Sequence, residues 1–134
     1  MTCIGKLIAA SLLLPLQPAL AEFPDRVPSV GLDGPQSDGC ASVGRVTGLN
    51  PGRDYFLSVH ARPDEASKKK DRLGPATLVW LCEAEGAWQG IVYAPAGRDF
   101  GECRVSSPVA KPEPYSGPCL FGWVDGHYIQ LNSG

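Results

Sequence analysis

Four cysteines, Cys40, Cys82, Cys103 and Cys119, and two histidines, His60 and His127, are the residues of this chain best suited to chemistry by type and spacing. Thiolates and imidazoles together can hold zinc. Structural zinc sites, however, usually draw sulfurs from close Cys-x-x-Cys pairs, and no two of these cysteines stand that near one another. With Cys3 set aside in the N-terminal segment, they form an even set and fit disulfides formed in an oxidising compartment. Four cysteines can pair in more than one way, and spacing alone does not choose. Cys103 and Cys119 flank a proline-rich stretch while Cys40 and Cys82 each border a strand-like run, which favours Cys103 with Cys119 and Cys40 with Cys82. His60 and His127 then read as solvated side chains, one on an outward strand face and one in a turn. No metal and no cofactor is expected.

Catalysis finds little support in the remaining polar residues. Ser116 in "YSGP" lacks the glycine pattern of a nucleophile elbow. Glu83 and Glu85 share one side of a strand, the arrangement of a carboxylate pair, but they sit beside a hairpin turn and read as a hydrated rim. Lys68, Lys69 and Lys70 are interleaved with Asp64, Glu65, Asp71 and Arg72, the composition of a hydrated loop tip. No catalytic residue is assigned, and an enzyme is the weakest reading. The aromatic residues are more informative, because indoles and phenols need partners for their polar atoms when buried, and this chain has many for its size. Tyr93, Tyr115 and Tyr128 are the better candidates for a ligand groove. Trp88 and Trp123 are added to that set, although core or edge packing is the preferred reading for those two.

The elements that must position these residues are short. Lys6 followed by "LIAASLLLPLQPALA" reads as a secretory signal peptide over residues 1–21, cleaved after Ala21. The apolar run is too short and too interrupted by Pro15, Gln17 and Pro18 to span a bilayer, so no membrane insertion is expected after cleavage. Residues 22–39 mix Pro, Gly, Asp and Ser without period and read as a flexible leader. Residues 40–134 form one domain. The chain carries a formal charge of −2, which cleavage of Lys6 makes more negative, and this gives no footprint for nucleic acid.

Within the domain, "SVGRVTGL" and "RDYFLSVHAR" read as strands separated by Asn50-Pro51-Gly52. Alternation in the second puts Tyr55, Leu57 and Val59 on one face and Phe56, Ser58 and His60 on the other. Residues 62–75 read as an exposed loop. "ATLVWLCEAEGAWQGIVYA" gives a hairpin turning near Glu85-Gly86, and "CLFGWVDGHYIQL" gives two strands around Asp125-Gly126-His127. Between them, residues 94–118 carry five prolines and read as an inserted loop, since proline cannot donate to a ladder. No stretch holds a helical period. The class is all-β, a small antiparallel barrel of about five or six short strands in which the last strand pairs with an early one.

Taken together, "VTGLNPGRDYFLSVHARP", "LVWLCEAEGAWQGIVY" and "GPCLFGWVDGHYI" resemble a bacterial-type Src-homology-3 domain over roughly residues 43 to 130. The likeness rests on Leu57, Val59 and Pro63, on Gly86 and Trp88 with Ile91 or Val92, and on Gly122-Trp123-Val124 before Tyr128. His60 stands where such domains often have arginine, and the disulfide-bearing insertion replaces a tight connection. The resemblance implies a Src-homology-3-like barrel and a non-enzymatic binding module, periplasmic or secreted, that recognises cell-wall peptide or another exported protein; of groove residues it carries over only Tyr128. "SSPVAKPEPY" has the composition of a polyproline ligand, so the insertion is expected to lie across the protein's own aromatic face. The alternative function is an inhibitor or immunity-type protein that blocks one exported enzyme through residues 62–75 or 94–119.

Overall fold

The sequence marks one hairpin above all others, and in the computed structural model it forms around Gly86 and Ala87, with Glu85 opposite Trp88. The structure describes residues 5, 11–12, 23–53 and 55–134; the expected signal peptide lies outside these except for Gly5, Ser11 and Leu12. The strands are β1 (Ser29–Val30), β2 (Ser42–Val46), β3 (Leu57–His60), β4 (Lys69–Leu73), β5 (Leu78–Glu85), β6 (Trp88–Tyr93), β7 (Glu113–Pro114), β8 (Leu120–Asp125) and β9 (Ile129–Ser133). Single 3-10 turns cover Phe100–Cys103 and Gly126–Tyr128. The protein is all-β and antiparallel, with no α-helix among the described residues.

Seven strands make one sheet in the order β4-β3-β8-β6-β5-β2-β9, and β1 with β7 makes a separate two-stranded ribbon. The last strand does return to an early one, β9 pairing with β2. The ring nevertheless stays open, which corrects the expected closed barrel: β4 and β9 are both edges and are not paired with each other. β4 suits an edge, because Lys69, Asp71 and Arg72 stand exposed along it and keep other strands from adding. That strand was itself unexpected within the charged loop 62–75. It forms because Leu73 is buried opposite Leu57, and because a tight turn returns the chain, with Ser67 Oγ donating to the carbonyls of Arg62 and Asp64.

Alternation along β5 shows why the sheet needs two covers. Val79 and Leu81 face an inner core with Val46, Leu57, Val59, Leu73, Ile91, Tyr93 and Val124. Trp80 and Cys82 face an outer core with Val30, Cys40, Val92, Cys103, Val105, Tyr115 and Cys119. A fully buried valine or isoleucine is worth about 1.5–3 kcal/mol, so neither face can be left bare without loss. The outer cover is built from the two segments without period, 23–40 and 94–119. Disulfides join Cys40 to Cys82 and Cys103 to Cys119, the pairing that the segments they flank favoured.

Residues 23–39 are therefore a strap over the sheet, and the expectation of a flexible leader is corrected. Pro28 and Val30 are buried, and β1 pairs with β7 through Ser29 opposite Pro114 and Val30 opposite Glu113. Arg26 lies over the ring of Trp123 and is ion-paired with Glu83 and Glu85. Lys70 ties the same strap to the sheet by an ion pair to Asp25 at 3.1 Å while it donates to the carbonyl of Phe121. These contacts are all long-range in sequence, which is why no local pattern announced them. Among the described residues no helix is long and apolar enough to cross a membrane.

Candidate functional site

A groove of about 720 Å³ opens at one end of the sheet, between the start of β3, the start of β6 and the 3-10 turn before β9. Trp88 enters it because β6 begins directly after the hairpin turn, where Trp88 pairs with Asp125 of β8. Tyr128 is held opposite by the 3-10 turn. Asp125 caps that turn, its Oδ1 accepting from the His127 N–H at 2.9 Å, and the Thr47 N–H donates to the Tyr128 carbonyl. The Gly126 N–H donates to the Ala87 carbonyl, and a Cβ on Gly126 would stand 2.8 Å from that same oxygen, so the close approach of the two turns requires glycine.

His60 forms part of the wall. Alternation along β3 sends Leu57 and Val59 to the inner core and leaves Phe56, Ser58 and His60 on the groove side. His60 is only 5% exposed, its ring edge-on to Trp88 with centroids 5.0 Å apart. Its Nδ1 is buried without a hydrogen-bond partner among the described residues. The reading of His60 as a solvated side chain is thus corrected, whereas His127 is exposed. Arg53 and Lys69 contribute basic groups to the lining of the groove and Glu65 and Asp125 acidic ones. A second, shallower hollow of about 590 Å³ shares Arg53, Phe56, Ser58 and Lys69 with it and adds Tyr55 and Arg72.

Of the five residues that sequence nominated for a groove, Trp88 and Tyr128 are brought together here and three are placed elsewhere. Tyr93 is buried in the inner core, donating its hydroxyl to Asp71 Oδ2 at 2.9 Å; burial first, then Asp71, raise its phenol well above the ordinary range. Tyr115 is buried in the outer core, where its hydroxyl donates to the Cys103 carbonyl and accepts from the Cys119 N–H. Burial raises its phenol as well. Trp123 is fully buried because the strap covers it, and its indole N–H donates to the Arg26 carbonyl at 2.8 Å. Each of the three satisfies its polar atom inside the protein, the condition on which burial of such rings depends.

Sequence reasoning missed Phe56, Arg53, Lys69 and His60 as groove residues. The usable signal was the second face of "FLSVH", set aside once the first face had supplied the core. The proline-rich insertion does not line the groove, which corrects the expectation that it covers this aromatic face. It covers a different one: Phe100 stacks on Trp80 at 4.5 Å, and Tyr115 packs edge-on to Phe121. Tyr55, expected inside with Leu57, lies before β3 begins and is exposed.

Glu83 is not a hydrated rim residue. One of its carboxylate oxygens binds Arg26 and the other accepts the Ser29 N–H, so it fastens the strap. No three His, Cys, Asp or Glu side chains among the described residues gather as a metal site. The arrangement offers apolar rings, one buried imidazole and separated charges, which is suited to holding an extended polar chain by stacking and hydrogen bonds. No match was found among models of known protein families, among curated proteins or among solved structures.

Proposed function

We propose that this chain is an exported, non-enzymatic binding module whose groove between Trp88 and Tyr128 takes a peptide segment of the cell wall or of another exported protein. The observation that carries this reading is the convergence of Trp88, His60 and Tyr128 on one open groove; His60 Nδ1 is buried and has no hydrogen-bond partner among the described residues. Ligand sites commonly join apolar rings to a few placed polar groups, and unpaired buried polar atoms ask for a functional account. Two disulfides support export, since such bonds persist in oxidising compartments. In this reading residues 1–21 are a signal peptide and residues 40–134 a relative of the Src-homology-3 class, a likeness supported by the 3-10 turn bearing Tyr128 ahead of a last strand that returns to β2.

Co-sedimentation with purified cell-wall sacculi tests the reading. The wild-type protein is expected to pellet, and Trp88→Ala and Tyr128→Ala to stay in the supernatant with unchanged circular dichroism. Recovery of one exported enzyme from periplasmic extract, with equal yield from wild type and Trp88→Ala, would replace it by the inhibitor reading. Absence of both pelleting and partner would end it.

A further inference from the structure

The two hollows that share Arg53, Phe56, Ser58 and Lys69 form one continuous surface that carries charges of both signs. Arg53 and Lys69 line both hollows and Arg72 the shallow one, whereas Glu65 and Asp125 line only the deeper groove. The ion pairs among the described residues engage Arg26, Lys70 and Arg98 and none of these three cations. Asp71, the acidic residue of the shallow hollow, has both oxygens committed, Oδ1 to the Arg72 N–H and Oδ2 to the Tyr93 hydroxyl. Arg72 lies over the ring of Phe56 at 5.2 Å, which orients its guanidinium beside two half-exposed aromatic rings, Tyr55 and Phe56. A guanidinium held in this way presents a planar fork suited to a carboxylate.

Resting on the groove reading above, we propose that the ligand is an acidic peptide segment, with a carboxylate side chain at Arg72, Lys69 and Arg53 and a neighbouring apolar residue on Trp88 and Tyr128. The number of cations decides the class. A polyanion such as nucleic acid is held by about six or more phosphate contacts, whereas three cations beside Asp71 and Asp125 suit one or two carboxylates. Glu65 and Asp125, which line only the deeper groove, fix direction, because the free oxygen of Asp125 and the carboxylate of Glu65 accept peptide N–H groups and repel a second acidic residue placed there.

The test is an array of randomised, capped octapeptides made in three matched sets, with a single Glu, Gln or Lys fixed at one central position and probed with the full chain. The Glu set is expected to bind about tenfold more strongly than the Gln set, the gain that a few partly exposed ion pairs can supply, and the Lys set least. Raising salt from about 0.05 M to about 0.5 M narrows that ratio. Arg72→Gln or Lys69→Gln, both at exposed positions, moves the Glu to Gln ratio toward one. Equal binding of the three sets, or a Glu preference untouched by both variants, overturns the inference while loss of all binding in Trp88→Ala keeps the groove reading. Failure of every set to bind, or undiminished binding by Trp88→Ala, removes the groove reading and the inference with it.

Discussion

Replacing His60 by Phe should stabilise this protein. His60 is 5% exposed and its Nδ1 has no partner among the described residues, whichever ring nitrogen carries the proton. An unsatisfied buried polar atom costs about 1–3 kcal/mol, and phenylalanine removes that cost. It also keeps a flat ring for the edge contact with Trp88, now 5.0 Å between centroids, and it favours a strand position. Against this stands the slightly larger ring beside the fully buried Trp123, so the expected net gain is about 1 kcal/mol. For a domain of this size that raises the midpoint of thermal unfolding by about 4 °C. Urea unfolding with intact disulfides, followed by tryptophan fluorescence, gives the free energy; calorimetry gives the midpoint. A loss of about 1 kcal/mol or more would refute the reasoning, because the unpaired Nδ1 would then cost less than the larger ring does. The same variant is expected to pellet less with sacculi. Gained stability with lost binding is the pattern of a residue kept for function.

Other consequences follow from the packing. Serine at both Cys103 and Cys119, sixteen residues apart, should cost about 3 kcal/mol in urea unfolding because the unfolded chain regains that loop's freedom. Gly90→Ala places a Cβ 3.0 Å from Pro28 Cβ and 3.1 Å from Trp123 Cη2, an overpacking expected to cost about 1–3 kcal/mol, read by the same method. Tyr93 has its phenol raised in the folded state, so its contribution is complete below the unfolded value of about 10 and is lost as pH rises beyond it. Tyr93→Phe should therefore flatten the alkaline fall of stability while costing about 1 kcal/mol at neutral pH for the lost bond to Asp71.

What could be read from the chain was whatever rests on local pattern. The β5–β6 turn at Gly86 and the inward face of Leu57 and Val59 follow from neighbours in sequence, and the disulfide pairing was favoured by the segments that the cysteines flank. β4 escaped because edge strands tolerate charge, so "KKDRL" looks like a loop until Leu73 is seen opposite Leu57. The strap escaped because Pro28 packs beside Gly90 and Val30 pairs with Glu113, roughly sixty and eighty positions away, and no period records such contacts. The aromatic residues were legible as a surplus but not by destination. Tyr93, Tyr115 and Trp123 each find a polar partner inside, at Asp71, Cys103 and Arg26, and composition cannot distinguish a ring with an internal partner from one without.

The strap also explains how a groove can be firm at the margin of an open sheet. Trp123 lies between Arg26 above it and Gly90 beside it, and the missing Cβ of Gly90 gives both the indole and Pro28 their room. Trp123 is directly opposite His60 in the β3–β8 pairing, and His60 in turn supports Trp88 edge-on. The position of the groove wall is thus passed from Glu83 and Arg26 through Trp123 to His60, across three strands and without a covalent link. Both disulfides lie in the outer core, where they secure the cover and not the groove itself. Rigidity at Trp88 therefore depends on a segment whose composition reads as disordered, and the binding surface and the strap must be treated as one folding unit.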